Sequence, residues 1–488
     1  MASVSDELDA LTVLNAEAGG SGQECLCFNA PMRRLTAVWG AALAVASATA
    51  LAQDPTLVTN PPEKFSMRVV TSGLDGPWEL TWGPDQQLWV TERRGRRVVR
   101  INPTNGERRT LATLQEVHQA VGQEGLLGLA LHPDLLNGTS HVFVAFTYDD
   151  GLGPALVRRM AVRRYDYVPT PGSLINPVDM LTGLPAHNDH VGGRLAIGPD
   201  RKLYLTIGDQ GSNFGGNRCN ANHAQTLPTA AEVKARDWSP YQGKILRLDL
   251  DGSIPADNPE INGVRSHVFS VGHRTPLGLA FGPTGLLYES EHGPSTDDEV
   301  NLIESGRNYG WPNVAGHRDD KAYSYANWSA STPQPCSALP PGNTPPASVP
   351  TQSETAWNHP QFTPPLRTFF TVASIAEVKG IGSATIAPGG LDVYTSDAIP
   401  GWRHSILALS LIRGAVYRLK LSEDGRTLAG PSVELFPTAN RYRDIAISPD
   451  GRTIYLATDP EGPSRSPSGD PRTLANPGSI LAFTYDAN

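Results

Sequence analysis

A turn followed by an apolar strand recurs along the chain, and this pattern predicts the architecture. Each unit has a proline followed by Asp, Thr or Gly, and then an apolar strand with Tyr, Trp or Phe near its centre. Six such turns occur, at Gly83-Pro84-Asp85, His132-Pro133-Asp134, Gly198-Pro199-Asp200, Gly282-Pro283-Thr284, Ala387-Pro388-Gly389 and Ser448-Pro449-Asp450. Radial repetition of a short strand unit is typical of β-propellers. The pattern therefore predicts an all-β, six-bladed β-propeller. Two stacked β-sandwiches remain the alternative, because such turns occur in any β protein.

The spacing of the turns predicts long loop insertions. The largest intervals lie between the third and the fifth turn, so the insertions are expected on blades three to five. A Pro- and Ser-rich stretch, Ser331 to Ser353, is interpreted as one irregular surface loop. The composition agrees with a turn-rich β protein, since the 488 residues include 48 Gly and 42 Pro and only 18% are charged.

The N-terminal residues have the pattern of a targeting segment. Met32-Arg33-Arg34 is positively charged, Leu35 to Ala50 is apolar, and Ala50-Leu51-Ala52 matches an A-x-A cleavage site. These features predict a signal peptide at residues 32–52, whose apolar core is short for a membrane span. We therefore expect residues 1–31 to precede the true start. The mature chain, residues 53–488, is expected to be a single propeller that is periplasmic or secreted.

Cysteine usage and net charge limit the remaining possibilities. Cleavage before Gln53 leaves Cys219 and Cys336, which an oxidising compartment could join in a disulfide, with two free buried thiols as the alternative. The net charge of -9 argues against a nucleic-acid partner, because phosphate binding needs an excess of clustered Lys and Arg. No phosphate-binding P-loop motif and no G-x-S-x-G motif occurs, so ATP chemistry and serine hydrolysis have no support.

Residues 187–211 contain the first candidate site. Asp189 and His190 stand just before Gly192 and Gly193, and the apolar run that follows predicts a strand. A second strand, expected from Lys202 to Ile207, ends in Gly-Asp-Gln-Gly. Polar side chains at the ends of strands are held by a rigid scaffold, which favours a binding or catalytic role.

Two further groups of polar residues are candidates for ligand binding. Between Gly272 and Asp320 the oxygen-bearing side chains are dense, in a segment rich in Gly and Pro, which suits calcium. The group comprises Asp297, Asp298, Glu299, Tyr309, Asp319 and Asp320, and an acidic solvated loop is the alternative. Arg441 and Arg443 are two residues apart, so a strand would place both on one face, where they could bind a carboxylate or form an ordinary ion pair.

Five stretches of the chain resemble the soluble glucose/sorbosone dehydrogenases that depend on pyrroloquinoline quinone (PQQ). They are QEGLLGLALHP from 123, DHVGGRLAIGPDRKLYLTIGDQG from 189, GHRTPLGLAFGP from 272, EHGPSTDDEVNLIESGRNYGWPNVAGHRDD from 291, and NRYRDIAISPDG from 440. The similarity spans nearly all of the mature chain. It implies a periplasmic six-bladed propeller that requires PQQ and calcium and oxidises aldose sugars or related polyols to lactones.

The same resemblance implies a role for individual residues. His190 would be the general base, Gln123 and Asp189 would lie beside the sugar, and Arg274 would lie over the quinone. The cofactor would be held by Arg274, Thr275, Thr385, Arg441 and Arg443. The carbonyls of Gly293 and Pro294 would bind the catalytic calcium. A structural calcium pair would be surrounded by Glu299, Tyr309, Ala315, His317 and Asp319.

The chain departs from the glucose-oxidising members of this family at several positions. Thr275 and Leu277 replace Asn and Gln, Ile412 replaces a cofactor-binding Lys, Ser383 replaces an aromatic sugar platform, and Phe214 replaces a Gln near the sugar. These departures bear on the affinity for the quinone and leave the sugar undetermined. The sequence as a whole does not identify the electron acceptor or decide between monomer and homodimer. A calcium-dependent propeller hydrolase such as a lactonase, and a propeller that binds ligand without turnover, are the alternative functions.

Overall fold

Six four-stranded antiparallel sheets build the protein in a computed structural model, which describes residues 57–487 apart from 121, 341, 343, 379–381 and 467. The chain enters through β1 (Phe65–Thr71), a strand that belongs to the last sheet. The first sheet contains β2 (Pro77–Trp82), β3 (Leu88–Glu92), β4 (Arg97–Ile101) and β5 (Arg108–Thr113). The second contains β6 (Leu126–Leu131), β7 (His141–Asp149), β8 (Arg158–Val168) and β9 (Ser173–Pro185).

The later sheets follow in chain order and carry small additional hairpins. The third contains β10 (Gly192–Ile197), β11 (Leu203–Ile207), β12 (Lys244–Leu248) and, after the hairpin of β13 (Glu260–Ile261) and β14 (Val264–Arg265), β15 (Val268–Val271). The fourth contains β16 (Pro276–Phe281), β17 (Leu287–Glu291), β18 (Asp298–Ile303) and, after β19 (Tyr325–Ala326) and β20 (Thr351–Gln352), β21 (Arg367–Phe369). The fifth contains β22 (Pro388–Tyr394), β23 (Ser405–Ser410), β24 (Val416–Lys420) and β25 (Val433–Leu435). The sixth joins β26 (Tyr442–Ile447), β27 (Thr453–Thr458) and β28 (Ile480–Tyr485) to β1.

The first strands of the six sheets form a closed ring. Strand β2 contacts β6, and the contacts continue through β10, β16, β22 and β26 back to β2. Each sheet is therefore one blade, and the prediction of a six-bladed propeller is confirmed. The last blade is closed by the N-terminal strand β1, whose Phe65 pairs with Tyr485 of β28. Apolar side chains between the blades form the core, including the fully buried Trp89 and Trp402.

Five of the six predicted turns lie between the first and second strands of a blade, and the prediction at residues 387–389 is wrong. Pro388 and Gly389 belong to the inner strand β22, with a shift in register between Pro388 and Leu391. Proline is tolerated at the first position of a strand, and the bulge accommodates the extra residue. Turn composition alone does not distinguish this arrangement from a turn.

Long insertions lie between β11 and β12 of the third blade and between β18 and β21 of the fourth blade. Another lies before β22 of the fifth blade. Cys219 and Cys336 form a disulfide that joins the first two of these insertions. Short 3₁₀ helices occur at Gly215–Asn217, Ser239–Tyr241, Trp328–Ala330, Cys336–Ala338, Glu354–Ala356 and Ile375–Glu377. A six-residue α-helix, α1 (Ala230–Ala235), begins after Thr229, whose side chain forms a capping box with Glu232.

The predicted signal peptide lies outside the described residues, as do residues 1–31 and 53–56. In the part of the chain that is described, no helix is both long enough and apolar enough to cross a membrane.

Candidate active site

The candidate site residues collect at one end of the ring, where the inner strands begin. Gln123 precedes β6, His190 precedes β10, Arg274 precedes β16, Thr385 precedes β22 and Arg441 precedes β26. The second strand of each blade is antiparallel to the first, so it ends at this same face. Asp209 follows β11 and Gly293 follows β17 there. The propeller therefore assembles a site from residues that are far apart in the sequence.

His190 is held by a buried carboxylate. Its Nδ1 lies 2.7 Å from Oδ1 of Asp209, which is fully buried. Asp209 is fixed in turn by Trp311 Nε1, which donates to Oδ2 at 2.6 Å, and by Asn222 Nδ2 at 2.9 Å. A carboxylate only accepts hydrogen bonds, so Asp209 holds the proton of the imidazole on Nδ1 and leaves Nε2 as the basic nitrogen.

Asp189 and Gln123 lie on the side of His190 that is opposite Asp209. Gln123 Nε2 donates to Asp189 Oδ1 at 2.9 Å, and the backbone N–H of His190 donates to the same oxygen at 2.9 Å. The second carboxylate oxygen of Asp189 lies 3.8 Å from His190 Nε2. Asp189 and Gln123 therefore lie on the side of the ring that carries its basic nitrogen, and Asp209 lies on the other.

Arg274 lies between two aromatic rings. Its guanidinium is 4.9 Å from the ring centre of Phe214 and 5.2 Å from that of Trp311. The ring of His190 stacks on Phe214 at 5.9 Å, so His190 and Arg274 both contact Phe214. Arg274 Nε and the hydroxyl of Thr275 are buried and have no hydrogen-bond partner among the described residues. Two buried donors without an acceptor are a feature of a binding site, because such groups are costly in a finished core.

Three more arginines approach the same face. Arg443 makes two hydrogen bonds to Asp459, at 2.8 and 2.6 Å, and Arg441 contacts the same carboxylate at 3.4 Å. Arg413 donates from Nε to the carbonyl of Thr385 at 3.0 Å. The ion-pair alternative for Arg441 and Arg443 is therefore observed, but the pair is buried and both arginines share the one carboxylate of Asp459.

The pKa of His292 is lowered by burial and also by the positive charges at this face. Burial lowers the pKa of His292 to about 3, and the charge of Arg274 acts in the same direction, with smaller contributions from His190 and Arg443. Arg274 and Arg443 are thus close enough to one imidazole to influence its protonation, which indicates a cationic face suited to an anionic ligand.

Asp298 links the loop of Gly293 and Pro294 to Thr385. Its Oδ1 accepts the N–H of Gly293 at 2.9 Å, and its Oδ2 accepts the hydroxyl of Thr385 and the N–H groups of Ile386 and Ala387. Protein donors thus occupy both oxygens of Asp298, and the hydroxyl of Thr385 donates to it. A Cβ on Gly293 would lie 1.8 Å from the carbonyl oxygen of Thr296, so only glycine fits there.

A second group of acids surrounds the loop from Ala315 to Asp320. Glu354 accepts the N–H of Ala315 at 2.9 Å and that of Asp320 at 3.0 Å. Burial, and then the charge of Asp297, raises the pKa of Glu354 to about 7. Burial likewise raises the pKa of Asp297 to about 6, and the charge of Asp319 adds to the effect. These acids lie close enough to repel one another.

The other predicted calcium residues lie in different environments. Glu299 is buried and accepts the N–H of Gly316 at 2.5 Å, which connects it to the same loop. His317 is exposed. The hydroxyl of Tyr309 donates to the carbonyl of Leu302 at 2.6 Å and its ring stacks on His273, so these side-chain contacts are made with residues other than Glu354, Asp297 and Asp319.

Sequence reasoning assigned no role to Asp209, Trp311 or Glu354. Asp209 stands at the end of a strand in the Gly-Asp-Gln-Gly turn, and that position was the available signal. Trp311 and Glu354 reach the site from the insertion of the fourth blade, 102 residues from Asp209 in the first case and 35 from Asp319 in the second. No local pattern indicates such long-range contacts.

The described residues also enclose two cavities. One of about 470 Å³ lies beside the His190 loop and is lined by His187, Gln210 and Ser212. The other, of about 540 Å³, lies on the ring axis near Pro84, Pro133 and Pro449, at the opposite end of the inner strands. The chemistry of the side chains, rather than cavity size, therefore identifies the His190 face as the candidate site.

Comparison with known proteins agrees with this geometry. The family model for Glucose / Sorbosone dehydrogenase matches residues 74–367 and 365–465. Quinoprotein glucose dehydrogenase B of Acinetobacter calcoaceticus is 44% identical over 440 residues, covering 87% of this chain and 92% of that protein. Aldose sugar dehydrogenase YliI of Escherichia coli K12 is 27% identical over 413 residues, covering 82% and 91%. The PQQ-bound aldose sugar dehydrogenase of Streptomyces coelicolor aligns with a TM-score of 0.59 at 25% identity, covering 88% of this chain and 100% of that one. The chain belongs to the glucose/sorbosone dehydrogenase family.

Proposed function

We propose that this protein is a PQQ- and calcium-dependent sugar dehydrogenase that oxidises an aldose, or a related polyol, at its anomeric carbon to a lactone. The observation that carries the proposal is the arrangement of His190, whose Nδ1 is held by buried Asp209 while its ring stacks on the Phe214 that also contacts Arg274. A base and a cation that contact the same aromatic ring suit a reaction that removes a proton and a hydride from one carbinol group.

The residues present fit PQQ, which is a planar anion. Arg274, Arg413, Arg441 and Arg443 supply four positive charges, and Asp459 balances one of them. Arg274 Nε and the Thr275 hydroxyl are buried donors that need acceptors. Ile412 stands where the glucose-oxidising members have a lysine, and it is apolar and buried. We propose that its neighbour Arg413 supplies a positive charge to the cofactor in place of that lysine.

Calcium is proposed at two places. The carbonyls of Gly293 and Pro294 would bind the catalytic ion beside the cofactor, in a loop that Asp298 braces. The carboxylates of Glu299 and Asp319 and the backbone carbonyls of Tyr309, Ala315 and His317 would surround the structural ions. We add Glu354 and Asp297 to that set. Carboxylates that repel one another when unneutralised, beside backbone carbonyls, match the oxygen ligands that calcium prefers.

The protein's own part in the reaction is to bind the sugar, orient it and remove a proton. His190 Nε2 takes the proton of the anomeric hydroxyl, and Asp209 stabilises the imidazolium that forms. Gln123 and Asp189 orient the sugar hydroxyls beside that nitrogen. Arg274 favours negative charge at the acceptor side of the site. Bound PQQ supplies the acceptor for the hydride, and a separate electron acceptor then reoxidises it.

The decisive experiment is reconstitution of the mature protein with calcium and PQQ, followed by a panel of aldoses and polyols with an artificial dye as acceptor. We expect dye reduction only with the cofactor present. His190→Gln should keep its fold and its PQQ affinity but lose roughly two to four orders of magnitude in kcat.

His187→Gln is the matched control, because His187 lies in the same loop and is hydrogen-bonded to Asn188 and Asn217 rather than to Asp209. It should keep near-parental turnover. A folded, PQQ-loaded His190→Gln that oxidises sugars at the parental rate would contradict the mechanism. Calcium-dependent lactone hydrolysis without PQQ would favour a hydrolase, and ligand binding without either activity would favour a binding protein.

A further inference from the structure

A buried group of acids lies next to the backbone of Arg274, between the third and fourth blades. Glu289 and Glu291 alternate on β17, and the register of β17 with β18 pairs them with Asn301 and Glu299. Alternate residues of paired strands share a face, so all four side chains lie on one side of the sheet. His273, which follows β15 of the third blade, completes the group, and none of the five is more than 6% exposed.

The negative charge of this group is not balanced by an ion pair. Asn301 Nδ2 donates to Glu289 and Glu299 at 3.0 Å each and lies 3.4 Å from Glu291. Among the ion pairs of the described residues, none joins a lysine or an arginine to these three glutamates. Lys244, which acts on His273 electrostatically, donates its three hydrogens to backbone carbonyls. The charge of Arg274 acts on Glu291 without forming an ion pair with it, and buried carboxylates without an ion-pair partner are costly, so the group needs a cation or protons.

Two acceptors of the group, Glu289 Oε1 and Asn301 Oδ1, are buried and have no hydrogen-bond partner among the described residues. Glu289 Oε1 makes no hydrogen bond to any described residue, although its side chain is 0% exposed. His273 Nε2 lies 2.8 Å from Ser270 Oγ, and its Nδ1 faces Glu291 Oε1 at 3.2 Å. When Nε2–H donates to Ser270, the lone pair of Nδ1 faces a carboxylate oxygen, an arrangement that an intervening cation stabilises.

We propose that His273, Glu289 and Glu291 bind a divalent first-row metal ion of the Zn²⁺ or Mn²⁺ type. One ligating atom from each lies within 4.8 Å of the other two, which small movements of the side chains bring to metal-ligand spacing. An imidazole together with carboxylates suits this class of ion better than calcium, which takes oxygen ligands alone. The site is thus chemically distinct from the calcium sites proposed above.

The position of the site gives it a role in shaping the active site. Glu291 Oε2 accepts the backbone N–H of Arg274 at 2.5 Å and that of Thr275 at 3.2 Å. An ion on the other oxygen of Glu291 would fix this carboxylate and, through it, the segment that presents Arg274 and Thr275 to the cofactor. The metal would link His273 of the third blade to Glu289 and Glu291 of the fourth blade, next to the backbone of Arg274.

The test measures metal content, so its result does not depend on the activity proposed above. The full protein, loaded with calcium and PQQ, is incubated with ZnCl₂ or MnCl₂ and freed of excess metal by gel filtration, and bound metal is measured by mass spectrometry. We expect about one Zn²⁺ or Mn²⁺ per chain besides calcium. Glu289→Gln should weaken that binding by at least about tenfold without reducing the calcium content.

Glu304→Gln is the matched control, because Glu304 follows β18 but pairs at the surface with Arg307 and Arg426. It should bind the transition metal like the parent. Equal transition-metal content in the parent and Glu289→Gln, or none in the parent, overturns the proposal. If Glu289→Gln does not fold, anomalous scattering at the zinc edge from crystals of the loaded parent decides. A peak among His273, Glu289 and Glu291 supports the site, and a peak elsewhere or no peak overturns it.

Discussion

Replacement of Asp209 by Asn tests how the tertiary structure activates His190. The carboxylate accepts from His190 Nδ1 at 2.7 Å and keeps the basic nitrogen at Nε2. In Asp209→Asn the amide NH₂ group can donate to Nδ1, which moves the imidazole proton to Nε2 and removes the base. We therefore expect kcat to fall while the sugar and the cofactor still bind.

The size of the expected fall in kcat follows from the hydrogen bond between Asp209 and His190. A hydrogen bond to a charged group contributes about 1.5–3 kcal/mol, which is roughly 10- to 150-fold in rate. A reversed tautomer in a comparable His–Asp pair lowers the rate by up to roughly 10⁴-fold. We expect a fall in kcat of about 10² to 10⁴. With its NH₂ group toward His190, the new Asn side chain also leaves the N–H of Gly211 without its acceptor, which costs about 1–3 kcal/mol of stability and a few degrees in Tm, while the amide oxygen still accepts from Trp311 and Asn222.

The assay measures kcat with saturating sugar, KM, the PQQ dissociation constant and Tm on the same preparation. Asp200→Asn is the control, because Asp200 lies on the same blade at the opposite end and contacts Tyr204 and Arg247. That variant should lose stability but keep its kcat. If Asp209→Asn is folded, loaded with PQQ and as fast as the parent, Asp209 does not position the base and the reasoning fails.

Three further predictions concern metal, the aromatic ring and export. Chelation should lower Tm, and the rise in Tm on adding calcium should be larger at about pH 8 than at about pH 5. The reason is that burial raises the pKa of Glu354 from 4.5 to about 7 and that of Asp297 from 3.8 to about 6, so the metal-free fold loses stability as pH rises from the ordinary values to the raised ones, and calcium removes that loss. A pH-independent calcium effect, measured by thermal unfolding, would contradict this. Phe214→Leu should reduce kcat/KM by roughly 3- to 30-fold with little change in Tm, because it removes a cation–π contact of Arg274; unchanged steady-state kinetics would show that the ring is not needed. N-terminal sequencing of the protein exported from a gene that starts at Met32 should find Gln53, and a mature N-terminus upstream of Met32 would refute the predicted signal peptide.

The sequence by itself predicted the blade repeat and, through the family resemblance, most of the candidate residues that the structure brings to one face. A strand with its turn is a local unit, because turn propensity and the alternation of buried positions act over a few residues, so six copies could be recognised without the fold. His190 and Arg441 were candidates from their local sequence, and the family resemblance added Gln123 and Arg274; the structure places each of the four directly before an inner strand. Residues 387–389 were the exception, because local composition does not separate a turn from a bulged strand that starts with proline.

Only the tertiary structure decided which side chains act on one another. Asp209 reaches His190 across 19 residues and Trp311 across 102, and Glu354 meets the loop of Ala315 from another part of the fourth blade. The disulfide of Cys219 and Cys336 joins two insertions, and the sequence alone could not choose between this pairing and two free thiols. Such contacts depend on how the ring closes and how the loops fold back over it. The protonation and orientation of His190, and the crowding of the acids, are therefore properties of the closed propeller rather than of any segment.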